Sequence, residues 1–463
     1  MPYPGELASK TTHSDIVRNP EVAEFLKGCD YLKIPSDAEG RQVAQRFVEP
    51  PAGGDLPRFV IAVDGSSHEA SIDDQLPSTK VGYIRIGAVL IDLEKFGSLR
   101  VGNFVDPFRV ADLQNSNTGL VFTIPSANIR WGDHRTVRES FRAWLDHQFD
   151  SPSTRFKPND PFTSLRATLF FLASQRSGEL GTNNPNLLKI FKCPVCGQGP
   201  VEIPNSPEAH HCPFCQSPVY PTDCLRLWEE IQENQSNQAA LNRLMLTLEH
   251  LIPFHYMYQI YKQSPLILSK MAFFIDGPLA VFGPPAWLHH SFMTLLDKVN
   301  KRLQEKNCDP LLVIGLQKTG QIVDHINLIE RFVSKNRIFA IDDDYRYQYI
   351  LPGRDPSSDG FGSETYYGQD FILKTPSGRS FSIGLPYPFA SKKLSGASFV
   401  REKVKLENYP QLPQAVKLIN LLESDLYENA VVPIALAHHY TAISLEPGGK
   451  VLDLLTRRAM NRE

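Results

Sequence analysis

Two short segments of the sequence each place an aspartate directly after a run of apolar residues. One reads Phe59-Val-Ile-Ala-Val-Asp64-Gly-Ser, and the other reads Ala272-Phe-Phe-Ile-Asp276-Gly-Pro-Leu. Both patterns predict a buried strand with a carboxylate at its end, followed by a glycine at which the backbone turns away. If the two strands are neighbours, their carboxylates converge and repel each other unless a divalent cation lies between them. Paired metal ions are a common solution for in-line attack on a phosphodiester.

A third carboxylate is available on the segment between the two aspartates. Residues 225–261 predict a long helix whose apolar stripe includes Met245 and Ile252, and Glu249 lies at the margin of that stripe. Its carboxylate would then point along the core. All three acids also have an ordinary interpretation, because Asp-Gly is a frequent turn dipeptide and a boundary glutamate can keep its head group in water.

Four of the seven cysteines form two Cys-x-x-Cys pairs. Cys193 and Cys196 are separated by fifteen residues from Cys212 and Cys215. Two such pairs can close a tetrahedron of thiolates around Zn²⁺, and four sulfurs leave no open position for water. The spacing therefore predicts a structural zinc ribbon. Three nearby residues are not expected to be ligands, namely His210, His211 and Cys224.

The composition excludes several classes of protein. With 463 residues, of which 42% are apolar, the chain has room for about two or three packed units. The net charge of −3 excludes a globally basic nucleic-acid-binding surface. No basic and apolar leader opens the sequence, and aspartate, glycine and prolines interrupt its most apolar stretch, 271–287. With the paired cysteines, these features predict a cytoplasmic protein that does not enter the membrane.

The elements that would position these side chains alternate between strand and helix. We predict strands at 58–63, 80–93, 271–275, 311–316 and 337–341, and a hairpin at 369–386. We predict helices at 22–27, 131–149, 165–172, 225–261, 286–305, 321–333, 411–423 and 426–443. This alternation favours an α/β fold with a mixed sheet flanked by helices. Asp342, Asp343 and Asp344 are interpreted as a solvated turn.

Four motifs, taken in order, resemble the NurA nucleases, the partners of the hexameric translocase HerA. They are Asp64-Gly-Ser, Asp276-Gly-Pro-Leu, Val313-Ile-Gly-Leu-Gln-Lys318 and Ala437-His438-His439-Tyr-Thr-Ala442. The resemblance spans roughly residues 58 to 445. It implies an RNase H-like core, a homodimer, and a Mn²⁺- or Mg²⁺-dependent nuclease that resects DNA ends when the translocase feeds it. The zinc ribbon is a departure, because shorter family members lack it.

Carried across position by position, the resemblance implies roles for individual residues. Three carboxylates become ligands of the catalytic metal, namely Asp64, Glu249 and Asp276. Lys318 becomes a phosphate or transition-state contact, and His438 becomes the late active-site histidine. His439 is the alternative, since the doublet leaves the register open. Ordinary alternatives are a solvated lysine at a strand tip and a hydrogen-bonded core histidine.

The predicted domains follow from these assignments. Residues 1–55 form an N-terminal arm, 56–182 and 225–445 the nuclease core, 183–224 the zinc-ribbon insertion, and 446–463 a C-terminal tail. The predicted function is that of a metal-dependent DNA nuclease, an end-resecting exonuclease with endonuclease activity as a further capacity. It would act with a HerA-like ATPase in DNA repair or antiphage defence. The alternative is a non-catalytic zinc-ribbon adaptor that docks a translocase or another partner. Convergence of Asp64, Glu249 and Asp276 within one cation's reach would distinguish the two.

Overall fold

The computed structural model describes most of the chain. The described residues are 12–29, 35–73, 75–97, 100–101, 104–105, 118–351, 360–394, 398–424, 430–443 and 448–460. Part of one predicted helix, residues 426–429, lies outside the described residues. Within these ranges, no helix is long and apolar enough to span a bilayer.

Strands and helices alternate along most of the chain. The strands are β1 (Phe59–Ser71), β2 (Lys80–Asp92), β3 (Arg100–Val101), β4 (Phe104–Val105), β5 (Thr118–Pro125), β6 (Leu187–Ile190), β7 (Val201–Pro204), β8 (His210–His211), β9 (Pro218–Val219), β10 (Met271–Asp276), β11 (Leu312–Gln317), β12 (Arg337–Ala340), β13 (Gly368–Lys374) and β14 (Ser380–Pro386). The α-helices are Thr12–Arg18, Pro20–Gly28, Asp37–Ala44, Leu93–Gly97, Val137–Asp150, Leu165–Ser174, Gln238–Gln263, Leu288–Gln304, Gln321–Ile329, Asp343–Tyr345, Phe399–Glu402, Leu412–Leu422, Val432–Thr441 and Gly448–Met460. The helix Gln238–Gln263 is called the central helix below.

Eight of the strands form one mixed sheet. Its order is β12-β13-β14-β11-β10-β1-β2-β5. The strands β1, β10 and β11 run parallel to one another, and the remaining pairs are antiparallel. The predicted mixed α/β sheet, the β1–β2 pair and the 369–386 hairpin are confirmed.

Helices cover both faces of this sheet, which explains the unbroken apolar runs of its middle strands. On β1, Ile61 and Val63 belong to the core under the central helix. Val60 and Ala62 belong to the opposite core, under the helices Leu412–Leu422 and Val432–Thr441. Successive side chains of a strand point to opposite faces. Residues 64 and 65 therefore face different helices.

The prediction that β1 ends at Asp64 is wrong. The strand continues through Gly65 to Ser71, because β2 pairs with it along its whole length. Only the pairing with β10 stops at Val63. The second aspartate does lie at a strand end, and Gly277 has a φ of 89°, a value that glycine adopts readily.

The predicted helix at 225–261 is wrong in its first turns. Residues Pro221–Leu225 and Leu227–Glu230 form 3-10 turns, and the central helix begins at Gln238. Asn237 accepts a hydrogen bond from the N–H of Gln232 and donates one to its carbonyl, so a folded loop precedes the helix. Side chains that bond nearby backbone in this way compete with helix formation.

Two smaller predictions also need correction. The helix predicted from 131 begins at Val137, because the Thr136 side chain caps it by accepting the N–H of Glu139. The triple aspartate is not simply a solvated turn. Asp343 is buried and bonds to the Lys403 ammonium over 2.6 Å.

Candidate active site

The two aspartates predicted from the sequence lie side by side in the sheet. The β1–β10 register pairs Val63 with Ile275, so Asp64 and Asp276 are the next residues on neighbouring parallel strands. Asp64 is only 2% exposed, and its Oδ1 accepts the N–H of Gly65 over 2.9 Å. Because 64 is an even position of β1, the carboxylate is on the face covered by the helix Val432–Thr441.

Lys318 joins the two aspartates from the next strand. It directly follows β11, in which Leu316 pairs with Asp276. Its Nζ lies 2.7 Å from Oδ2 of Asp276 and 3.7 Å from Oδ2 of Asp64. An ammonium therefore stands between two carboxylates that would otherwise repel each other.

Glu249 reaches the same place from the opposite face of the sheet. It is 3% exposed, on the side of the central helix that packs against β1 and β2. A Cβ on Gly65 would lie 2.9 Å from Oε1 of Glu249 and 2.8 Å from the Met245 side chain. The sequence predicted that the backbone turns at Gly65. Gly65 instead continues the strand, and its lack of a side chain leaves space for Glu249.

His438 completes the group from the helix Val432–Thr441. Its Nδ1 lies 2.8 Å from Oδ2 of Asp64, although 54% of its side chain is exposed. Gly87 of β2 lets this helix approach, because a Cβ there would lie 2.7 Å from the Thr441 side chain. His439, the alternative, has its ring near that of Tyr440. The structure thus brings His438 to the acidic residues.

The electrostatics of the group favour the binding of cations. Burial raises the pKa of Glu249 well above its ordinary value, and the nearby Asp64 and Asp276 raise it further. Burial likewise raises the pKa of Asp276 to about 6, although Lys318 opposes the shift. Burial alone would lower the pKa of Lys318, but Asp276 and Asp64 raise it overall. Asp64 raises the pKa of both Glu249 and Asp276, so the three acids repel one another when ionised, and a bound cation would relieve that repulsion.

The donor chemistry fits a divalent cation. Carboxylate oxygens are the ligands preferred by Mg²⁺ and Mn²⁺. Within the described ranges, only the four cysteines bring three or more potential His, Cys, Asp or Glu ligand atoms within 4.8 Å of one another. The three carboxylates are therefore more widely spaced than a closed single-ion site. The Lys318 ammonium lies between two of them.

The four predicted zinc ligands form a compact cluster. The Sγ atoms of Cys193 and Cys215 lie 3.8 Å apart, as do those of Cys196 and Cys212. This arrangement could hold a zinc ion. The hairpins β6–β7 and β8–β9 surround the cluster. Three neighbours are not part of it, namely His210, His211 and Cys224.

Sequence reasoning missed a buried network behind Lys318. Gln317 donates a hydrogen bond to Asp370, and Arg346 donates one of 2.7 Å to the other oxygen of that carboxylate. All three side chains are buried. The network holds the end of β11 against β13, and so it positions Lys318. No local pattern could reveal it, because its members come from three separate segments.

Three carboxylates, a lysine and a histidine meet on the middle strands of a mixed sheet. The chain is therefore an α/β protein with an acidic site whose ligands suit a cation. The family model of the NurA domain matches residues 59–443, and the chain belongs to the NurA family. This confirms the resemblance seen in the sequence.

Two solved structures are similar over almost the whole chain. The NurA nuclease from Sulfolobus solfataricus shares 10% identity, with 98% of each chain covered and a TM-score of 0.35. A second NurA crystal structure shares 10% identity over 98% of each chain, with a TM-score of 0.30. None of the curated protein sequences matches the chain.

Proposed function

We propose that this protein is a Mn²⁺- or Mg²⁺-dependent deoxyribonuclease with an RNase H-like core, which resects DNA ends and has endonuclease activity as a further capacity. The observation that carries the proposal is the convergence of Asp64, Glu249, Asp276, Lys318 and His438 in a chain of the NurA family. An adaptor without catalysis would have no reason to place two buried carboxylates, Asp64 and Glu249, beside Asp276, because burying repelling charges costs stability. The three carboxylates are spaced more widely than one cation's reach, but they stand together with Lys318 and His438, and this grouping supports the enzyme over the adaptor.

The residues divide the work of phosphodiester cleavage. Asp64, Glu249 and Asp276 would hold the divalent ions, which when bound supply positive charge and lower the pKa of water. Lys318 offsets part of the charge of the two aspartates and would contact the phosphate. His438 is oriented through Nδ1 by Asp64, so Nε2 can contact the phosphate. The four cysteines hold zinc and order the insertion.

Tight binding of DNA would require partner proteins. The small basic clusters of the chain are partly engaged internally, since Lys392 donates to two backbone carbonyls, Lys403 to Asp343 and Lys405 to Glu402. At physiological salt a few phosphate contacts hold DNA weakly. A homodimer doubles those contacts, and a HerA-like hexameric ATPase would thread DNA into it. We place this cytoplasmic assembly in DNA repair or antiphage defence.

A nuclease assay tests the proposal directly. End-labelled linear duplex is incubated with Mn²⁺ at about 150 mM salt, with and without the ATPase and ATP. We expect weak digestion by the protein alone and strong digestion with the partner. Chelation with EDTA should stop both. An inactive protein under all conditions would contradict the nuclease assignment. Equal processive digestion without the partner, or a monomer by light scattering, would contradict the assembly.

A further inference from the structure

A narrow cavity of about 120 Å³ opens beside Asp276. One wall is the exposed side of the central helix, with Arg243 and Leu246. The other wall is the loop that follows β10 and ends at Phe282. Because Asp276 lines the cavity, any group bound there lies next to the proposed cleavage site.

Phe282 presents an aromatic ring to this cavity from a well-anchored loop. The residue is 44% exposed. Its ring meets the edge of the Tyr366 ring at 83°, with the centroids 5.9 Å apart. The backbone is held as well, since the N–H of Val281 donates to the Thr365 carbonyl over 3.0 Å and Ala280 pairs with Tyr366. The fold thus supports the ring from one side and leaves part of it uncovered.

A cation and a second apolar side chain lie opposite the ring. Arg243 lies against the backbone of Gly283, where a Cβ would be 3.0 Å from its guanidinium carbon. Its Nε donates to Glu230 over 3.0 Å, which fixes its direction. Leu246, one turn along the helix, is 48% exposed. An aromatic face, an apolar neighbour and an arginine are the combination with which proteins bind bases and phosphates of single strands.

We infer that this cavity binds an unpaired nucleobase of a single DNA strand, stacked on Phe282, with Arg243 beside the adjoining backbone phosphate. The inference rests on the proposed nuclease function and names the form in which the substrate enters the site. Bases in a duplex stack on one another, so only an unpaired base can place its face on the ring. A cavity of about 120 Å³ has no room for two paired strands. The protein would therefore cut a strand whose end is already separated.

Binding without cleavage tests the inference. A single-stranded oligodeoxynucleotide carrying 2-aminopurine at its end is titrated with the full chain in buffer without Mg²⁺ or Mn²⁺, and anisotropy and fluorescence quenching are recorded. We expect Phe282→Ala to weaken binding about tenfold and abolish quenching. Phe282→Trp should retain both, because it keeps a stacking face, whereas Phe282→Leu should behave like the alanine variant. Phe162→Ala changes a more exposed phenylalanine outside the cavity and serves as the matched control.

The outcomes separate this inference from the nuclease proposal. Wild-type binding and quenching in Phe282→Ala or Phe282→Leu would overturn the stacking site, as would equal affinity for a blunt duplex or a lack of binding by the wild-type protein. A wild-type chain that shows the expected binding pattern but cleaves nothing with Mn²⁺ would contradict the nuclease proposal and leave the binding site standing. Weaker binding together with lost quenching in Phe282→Ala and Phe282→Leu alone supports the inference.

Discussion

The cysteine cluster and the acidic site are assembled in contrasting ways. The cysteines lie between Cys193 and Cys215, on two small hairpins close together in the sequence. The acidic site collects residues from Asp64 to His438, on three neighbouring strands and two helices. A local motif can depend on its metal for order. The distant residues can meet only after the sheet has formed.

The two sites also differ in their effect on the stability of the folded chain. Around the cysteines, the apolar residues Leu188 and Val201 join the main core, so the insertion is packed against the rest of the fold. At the acidic site the fold buries Glu249 and partly buries Asp276 in a setting that raises the pKa of both. Such burial opposes folding. A region that destabilises the chain in this way is expected to serve function.

We expect the largest effect from substitutions in the acidic site. Asp64→Asn or Asp276→Asn should reduce metal-dependent cleavage at least about a thousandfold, because each removes a charged ligand needed for transition-state stabilisation. The folded sheet should persist, as judged by circular dichroism. Asp324→Asn, at an exposed helical position, is the control and should cleave normally. Full activity in both site variants would refute the assignment.

We expect the next largest effect from substitutions in the cysteine cluster. Cys193→Ser or Cys212→Ser should remove about one zinc per chain by elemental analysis. Hydrogen exchange should then rise locally between about residues 185 and 222, because the insertion depends on its metal for order. The strands β1 and β10 should stay protected. Finding no zinc in wild-type protein purified without chelators would count against the ribbon, and uniform exchange across the sheet would show that the two regions are not independent.

We expect a smaller effect on the cleavage rate from one of the two adjacent histidines. His438→Ala should lower the cleavage rate about a hundredfold, as expected for loss of one contact to the phosphate. His439→Ala is the matched control and should change the rate little, because only His438 bonds to Asp64 among the described contacts of the pair. The reverse order of effects would assign the role to His439.

The smallest expected effect concerns stability. In EDTA, Glu249→Gln should raise the free energy of unfolding by about 1 kcal/mol or more at pH 8, because one pKa unit corresponds to about 1.4 kcal/mol. The pKa of Glu249 lies well above its ordinary value of 4.5 in the folded chain, so its ionisation opposes folding as the pH rises past 4.5. The gain should therefore vanish near pH 4.

Urea unfolding at the two pH values measures this gain. Glu407→Gln, an exposed glutamate, is the control and should show no such dependence. Destabilisation of Glu249→Gln at pH 8 would show that the buried carboxylate supports the fold in the absence of metal.

Much of the site could be predicted because apolar runs and short motifs are local properties. The strands that carry Asp64 and Asp276 and the helix that carries Glu249 were predicted, although β1 and the helix were given wrong ends. Those ends depend on partners, since β2 extends β1 to Ser71 and the loop at Asn237 delays the central helix. The domain boundaries and the catalytic roles stay predictions.

The sequence alone determined which residue types were available and which elements would carry them. It predicted the four cysteines as one cluster because their spacing is sufficient for a local site. Only the tertiary structure decided that Gly65 makes room for Glu249, that His438 and not His439 meets Asp64, and that Phe282 lies beside Asp276. The physical reason is that these contacts join distant segments, and strand register and helix packing, which no local pattern contains, bring those segments together.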